Sequence, residues 1–133
     1  MNFDISKIQD YQKVSFVKVL GIKLIEIAEN YAIAKMKVKK NMENYMSYLH
    51  GGVIASLIDT IAFFPGRLLP SGRKVTTTSI EVKYVRPVSI GEVLTAKAEI
   101  LHLGKKMGII EVSVFNPEKK LVAKGTVSVI NVQ

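Results

Sequence analysis

A single carboxylate stands alone in the middle of the sequence. Asp59 is the only Asp, Glu, Lys or Arg residue between Glu43 and Arg67. The surrounding run HGGVIASLIDTIAFF, from His50 to about Phe64, has apolar residues at helical spacing. A carboxylate in a dry contact is costly unless it is hydrogen-bonded or paired. Asp59 is therefore a candidate to activate water or attack an electrophile, although a surface acid or a cap for another chain's helix is also compatible with its position.

The start of the same helix supplies a second chemical group. The first amide N–H groups of a helix have no acceptor within it and carry a partial positive charge. Gly51 and Gly52 have no side chains that would keep a ligand from these groups. A carbonyl oxygen seated there would be polarised, as in an oxyanion hole. His50 alone could be only a helix cap, but next to the two glycines it strengthens the prediction of a catalytic site.

The two faces of the predicted helix differ in character. One face gathers apolar residues for the core, namely Val53, Ile54, Leu57, Ile58, Ile61 and Phe64. The opposite face carries mainly small residues, namely Gly52, Ala55, Ser56, Asp59, Ala62 and Phe63. An ordinary surface helix would carry Lys, Glu and Arg there. We therefore expect this second face to lie against another subunit.

The remaining elements must position this helix. A short amphipathic helix is expected over residues 6–19, ending near Gly21, and a polar loop over residues 39–49. Period-two runs between turn residues predict six strands, Ile22–Ala28, Tyr31–Val38, Val75–Arg86, Val93–Leu103, Met107–Phe115 and Leu121–Val132. This is an α+β layout, with the long helix packed on one face of an antiparallel sheet. No repeat or linker is present, so one domain is expected over residues 1–133.

The composition narrows the class of protein. The chain has no cysteine, which excludes disulfides, thiolate metal sites and cysteine nucleophiles, and we expect no metal. No signal peptide is recognisable, and no apolar run approaches the roughly 20 residues of a membrane-spanning helix, so a cytoplasmic protein without a membrane partner is expected. The net charge of +8 is compatible with solubility or with a phosphate-rich ligand. Nucleic acid is not expected as a partner, because no recognisable binding motif is present.

Taken together, the motifs resemble a known family. His50-Gly51-Gly52 followed by Ser56-Leu57-Ile58-Asp59-Thr60 is similar to the signature of PaaI-type thioesterases, of the 4-hydroxybenzoyl-CoA thioesterase superfamily. The resemblance runs from about Gly21 to Val132 and includes Arg86-Pro87, Gly91-Glu92 and Leu103-Gly104-Lys105-Lys106. It implies a hotdog fold, in which a long central helix packs on one face of an antiparallel β-sheet and a short helix precedes it.

The resemblance also implies roles for individual residues. Asp59 matches the family's general base or nucleophile, and the backbone N–H of Gly51 matches the group that polarises the thioester carbonyl. His50 would shape that turn, and Asn44 would position substrate or water. Thr77 would hold the attacking water, although a shift of one residue in register would transfer this role to a neighbouring threonine.

The implied substrate is an acyl-CoA, so that coenzyme A is part of the substrate and no separate cofactor is needed. Besides Gly52, the candidate substrate-binding residues are cations that could meet the nucleotide phosphates, namely Arg86, Lys105, Lys106, Arg73 and Lys74. The resemblance implies a homodimer with active sites at its interface, often paired into a tetramer. Phe63-Phe64-Pro65-Gly66 departs from the family pattern, because it shortens the helix and places two bulky side chains near the site.

Hydrolysis of a small or medium acyl- or aryl-CoA is the preferred function. A non-catalytic acyl-CoA-binding hotdog protein is the main alternative. A hydratase or dehydratase is disfavoured, because no histidine follows Asp59 before His102. A structural or nucleic-acid-binding module has only the positive charge in its favour.

Overall fold

The strands follow the alternation of apolar and polar residues. The computed structural model describes residues 11–68 and 74–132. Its strands are β1 (Ile22–Ile27), β2 (Tyr31–Lys37), β3 (Val75–Tyr84), β4 (Val93–Leu103), β5 (Met107–Phe115) and β6 (Leu121–Asn131). They form one antiparallel sheet in the order β1-β2-β4-β5-β6-β3. All six predicted strands are present, and their ends differ from prediction by at most two residues.

The helical segment before the sheet is interrupted, whereas the prediction was one helix. Helix α1 spans Ser15–Leu20 and ends at Gly21, which adopts the left-handed conformation with φ 71°. Residues 6–10 of the predicted helix lie outside the described residues. In the described part the predicted helix is present but interrupted, because Tyr11 and Gln12 are helical, Val14 leaves the helical region with φ −59° and ψ 129°, and α1 follows. Since Val14 is β-branched, extended backbone suits it better than a helix interior does.

The long helix packs its apolar stripe on the sheet. Helix α2 spans Gly51–Ile61, and four of its residues, Ile54, Leu57, Ile58 and Ile61, are buried between helix and strands. Among the described residues, no helix is long and apolar enough to cross a membrane. The single helix on a six-stranded antiparallel sheet confirms the predicted α+β class.

The end of α2 differs from the prediction. The helix stops at Ile61, and the chain turns toward the connection between β1 and β2, where the Gly66 N–H donates to the Ala28 carbonyl at 2.8 Å. This turn buries Ala62 completely, so its predicted place on the outward face is wrong. Of the two bulky side chains expected near the site, Phe64 is buried with its ring 5.7 Å from that of Tyr11, and Phe63 is partly buried against the core.

The outward face of α2 is therefore smaller than predicted. It consists of Gly52, Ala55, Ser56 and Asp59, of which Gly52 is exposed and the others are half-buried. The predicted polar loop over residues 39–49 is present, but Met42 and Leu49 are buried beneath it. These two side chains anchor the loop that leads into the helix.

The distance between α2 and the sheet depends on a glycine in β6. A Cβ atom at Gly125 would lie 2.6 Å from Cγ2 of Ile58, whose side chain is fully buried. We expect Gly125→Ala to destabilise the protein by about 1–3 kcal/mol, because the added methyl group overpacks the core and pushes on the residue before Asp59. Denaturant unfolding measures this change. Thr126→Ala, on the outer face of the same strand, is the control, and an equal midpoint for both variants would contradict the prediction.

Candidate active site

The lone carboxylate has a hydroxyl partner on the edge strand. The Oγ1 of Thr77 donates a hydrogen bond to Oδ1 of Asp59 at 2.7 Å. A bulge places two residues of β3, Thr78 and Ser79, where β6 offers only Ser128. The hydroxyl of Thr78 instead donates to the Ser128 carbonyl at 3.2 Å. Of the three consecutive threonines, Thr77 is therefore the one whose hydrogen bond reaches Asp59.

The start of α2 presents one open amide. The N-cap His50 accepts a hydrogen bond at Nδ1 from the Gly52 N–H at 2.8 Å. The sequence predicted that the amides of both Gly51 and Gly52 face a ligand, but the Gly52 amide already donates its hydrogen bond to His50. The Gly51 N–H belongs to the first helical residue, so the helix supplies no acceptor for it. In the described chain, only the Gly51 amide of this pair is left to face a ligand.

A groove of about 340 Å³ opens beside this amide. It is lined by predicted site residues, Asn44, Gly51 and Arg86, and by Tyr48 and Tyr84, which the sequence reasoning missed. The signal for Tyr84 was present, because its spacing from Val82 places it on the helix side of β3. A larger groove of about 580 Å³, on the sheet face away from α2, contains none of the predicted site residues.

Two groove residues also hold the surrounding loops. Oδ1 of Asn44 accepts hydrogen bonds from the amides of Met46 at 2.9 Å and Tyr48 at 3.1 Å. Within the described part of the chain, the Asn44 NH₂ group has no acceptor, so it can donate to a ligand. Nη1 of Arg86 donates to the Leu121 carbonyl at 2.6 Å. This bond fixes the guanidinium at the rim of the groove.

The other predicted cations lie at the opposite end of β3. The carbonyl of Lys106 accepts from the Asn131 N–H, and the carbonyl of Lys74 accepts from the Val132 N–H, both at 2.9 Å. The lysine side chains there, including Lys105, are exposed. Arg73 lies outside the described residues. The candidate phosphate-binding cations thus form two groups, separated by the length of a ten-residue strand.

The candidate catalytic residues lie in two separate places within one chain. Gly51 and Asp59 are eight residues apart on α2, which corresponds to about 12 Å along the helix axis. Groups that act on one carbonyl must lie within about 3–3.5 Å of the reacting atoms. One chain therefore presents an Asp59–Thr77 cluster and, separately, a Gly51–Asn44 cluster.

The architecture defines the class of protein. A long helix on one face of a six-stranded antiparallel sheet, preceded by a short helix, is the hotdog fold. The chain belongs to the thioesterase superfamily, whose family model matches residues 46–123. It is accordingly a thioester hydrolase.

Individual relatives agree with this placement. Acyl-coenzyme A thioesterase PaaI of Escherichia coli (strain K12) is 32% identical over 113 residues, covering 85% of this chain and 79% of PaaI. Human acyl-coenzyme A thioesterase 13 is 31% identical over 113 residues, covering 84% of this chain and 81% of the human protein. The solved structure of E. coli PaaI superposes with a TM-score of 0.85 at 29% identity, over 94% of this chain and 89% of that chain. The resemblance to PaaI-type thioesterases is confirmed.

Proposed function

We propose that the protein hydrolyses a small or medium acyl- or aryl-CoA to the free acid and coenzyme A. The observation that carries the proposal is the Asp59 carboxylate, which accepts a hydrogen bond from Thr77 and lies on the helix whose first amide is open at Gly51. The relatives named acyl-coenzyme A thioesterases support coenzyme A as the thiol half of the substrate.

Each active site would be shared between two subunits. Strand β3 is an edge strand of ten residues that pairs only with β6 among the described strands. A long edge with free main-chain groups favours pairing with another strand. Ile80, in its middle, lies on the helix side but remains 40% exposed. The half-buried small residues of α2 lie on the same side. These features favour a homodimer joined through β3.

The geometry of such a dimer would bring the two clusters together. Antiparallel pairing of two β3 strands about a two-fold axis near Ile80 would lay Thr77 opposite Lys83 of the partner subunit. Asp59 would then face the groove at Gly51 of the partner subunit. The pairing of dimers into a tetramer and a cytoplasmic location stay predictions.

The chemistry follows from this arrangement. The Thr77 hydroxyl donates its one hydrogen bond to Asp59, so its oxygen lone pairs can accept a hydrogen bond from water. As general base, Asp59 takes a proton from that water while the water oxygen bonds to the thioester carbon. The carbonyl oxygen becomes an oxyanion facing the Gly51 N–H of the partner subunit. The C–S bond then breaks as the carbonyl re-forms, and the sulfur takes the proton held by Asp59 to leave as free coenzyme A. As nucleophile, Asp59 would instead bond to the thioester carbon and expel the thiolate of coenzyme A, leaving an anhydride that water opens to the free acid and the Asp59 carboxylate.

The same dimer would bring the two groups of candidate phosphate-binding cations close together. Arg86 of the partner subunit would lie toward Lys74, Lys105 and Lys106, so one nucleotide could meet both groups. We expect a variant with Arg86, Lys105 and Lys106 replaced by Gln to raise KM for acyl-CoA while kcat stays nearly unchanged, because phosphate contacts contribute uniform binding. The effect should shrink as salt rises.

Steady-state kinetics on two substrates test the cation prediction. A truncated thioester without the nucleotide should respond little to the triple replacement. Equal losses on the truncated thioester and on acyl-CoA would contradict phosphate binding. An unaltered KM for acyl-CoA would contradict it as well.

The proposed function is tested by thiol release from a panel of aryl-, short-chain and medium-chain acyl-CoAs. We expect turnover that depends on Asp59 and prefers one acyl class. Tight binding of acyl-CoA without turnover would favour the non-catalytic acyl-CoA-binding alternative. Absence of both binding and turnover would contradict both functions.

A further inference from the structure

Tyr84, at the end of β3, contacts the turn that carries the open amide. Its Oη donates a hydrogen bond to the Gly51 carbonyl at 2.8 Å. Its ring lies against the same residue, because an ideal Cβ at Gly51 would be 3.3 Å from Cε1 and Cζ of the tyrosine. Tyr84 is 54% exposed and borders the groove, so this contact adds little to the core.

The hydrogen bond acts on a peptide unit that is already held at its other end. The Gly51 carbonyl and the Gly52 N–H belong to one planar peptide group. Tyr84 binds the carbonyl oxygen, and Nδ1 of His50 binds the N–H. Two side chains from different parts of the chain thus clamp one peptide plane between two glycines. Glycine residues have the widest backbone freedom, so a plane between them gains most from such restraint.

The clamped plane adjoins the one that carries the open amide. The Gly51 N–H lies in the preceding peptide plane, His50–Gly51, which meets the clamped plane at the Cα of Gly51. Holding the clamped plane restrains Gly51, the residue that carries the donor, and its neighbour His50. A donor stabilises an oxyanion best when its direction is set before the reaction. We propose that Tyr84 is a positioning residue, which together with His50 holds the Gly51 amide in the direction required for the oxyanion. This inference rests on the proposed thioesterase function, and it assigns Tyr84 no contact with substrate.

Replacing Tyr84 with Phe tests the proposal, because the ring stays and only the hydroxyl is lost. We expect kcat to fall about tenfold, less than the loss of a whole oxyanion donor, while KM for acyl-CoA changes less than about twofold. Tyr31→Phe is the matched control, since it also removes a tyrosine hydroxyl that donates to one acceptor, Glu26, far from α2. Tyr31→Phe should leave kcat unchanged, and both variants should lose similar thermal stability.

A double-mutant cycle separates the clamp from a general structural role. If His50 and Tyr84 hold one peptide plane, the effects of His50→Ala and Tyr84→Phe on kcat should be less than additive. Additive effects, or an unchanged kcat in Tyr84→Phe, would overturn the inference. Because wild-type turnover and the Asp59→Asn variant establish the reaction independently, such a result would leave the proposed function standing.

Amide hydrogen exchange gives a readout that does not require the right substrate. In protein labelled with ¹⁵N-glycine, the Gly52 N–H should be protected in the wild type through its bond to His50. Tyr84→Phe should speed its exchange, whereas Tyr31→Phe should not. Equal protection of Gly52 in both variants and the wild type would show that Tyr84 does not hold the turn, even if no acyl-CoA tested is turned over.

Discussion

Asp59→Asn should lower kcat/KM for acyl-CoA by roughly two to four orders of magnitude, the usual range for a positioned acid–base group. The amide has the shape of the carboxylate and can still accept the hydrogen bond from Thr77, so the fold should survive. It can neither take a proton from water nor attack the thioester carbon. Thiol release under substrate-limited conditions measures the loss.

The control for this change is Glu99→Gln. Glu99 is exposed on β4, and the replacement removes one carboxylate charge far from α2. It should leave turnover within about twofold of the wild type, because surface substitutions rarely matter at a distance. Near-normal turnover in Asp59→Asn would remove Asp59 from the mechanism.

Gly51→Pro should lower kcat by about two to three orders of magnitude, the typical loss when one oxyanion donor is removed. Proline deletes the N–H itself, and it is well accepted at the first position of a helix. The preceding residue, His50, already has φ −66° and ψ 133°, which suits a residue before proline. Single-turnover kinetics and circular dichroism measure the catalytic loss and the retained helix.

Gly51→Ala is the matched control for the proline variant. It keeps the N–H but adds a Cβ atom at the same contact with the Tyr84 ring. A smaller loss of kcat in the alanine variant than in the proline variant would show that the missing N–H donor causes the difference. Equal losses in the two variants would attribute the effect to crowding and contradict a role for the amide.

Mixing the two inactive variants tests whether the site is shared. In a heterodimer of Asp59→Asn and Gly51→Pro, one of the two shared sites would combine two intact clusters. Refolding an equal mixture should therefore restore about a quarter of wild-type activity, given random pairing in a two-fold dimer. No recovery would place both groups in one chain's own site, against the 12 Å separation expected from helix geometry.

Local patterns were sufficient for the six strands, for the presence of the long helix and for the principal chemical groups. The period-two runs predicted all six strands, because each buries one face and leaves the other in water. The apolar stripe and the His50-Gly51-Gly52 start predicted α2 and its open first amide. Asp59 was identifiable because no other Asp, Glu, Lys or Arg residue lies between Glu43 and Arg67. These features depend on neighbours within one or two turns or along one strand.

Contacts between distant segments decided the rest. The bulge arises only when β3 pairs with β6. It directs the Thr77 hydroxyl to its hydrogen bond with Asp59. The Gly52 amide donates to the His50 side chain, and the chain after α2 turns toward the connection between β1 and β2 with Ala62 buried. Tyr84 reaches Gly51 from 33 residues away.

The sequence by itself thus determined which residues could carry chemistry, because their types and short-range spacing are local properties. The tertiary structure decided how they are grouped. It placed Arg86 and the lysines at opposite ends of β3, and it brought Thr77 to Asp59 and Tyr84 to Gly51. It also left β3 at the edge of the sheet. Strand order and the contacts between strands and helix arise from packing across the whole chain, and no short window of sequence contains the information on which distant segments will meet.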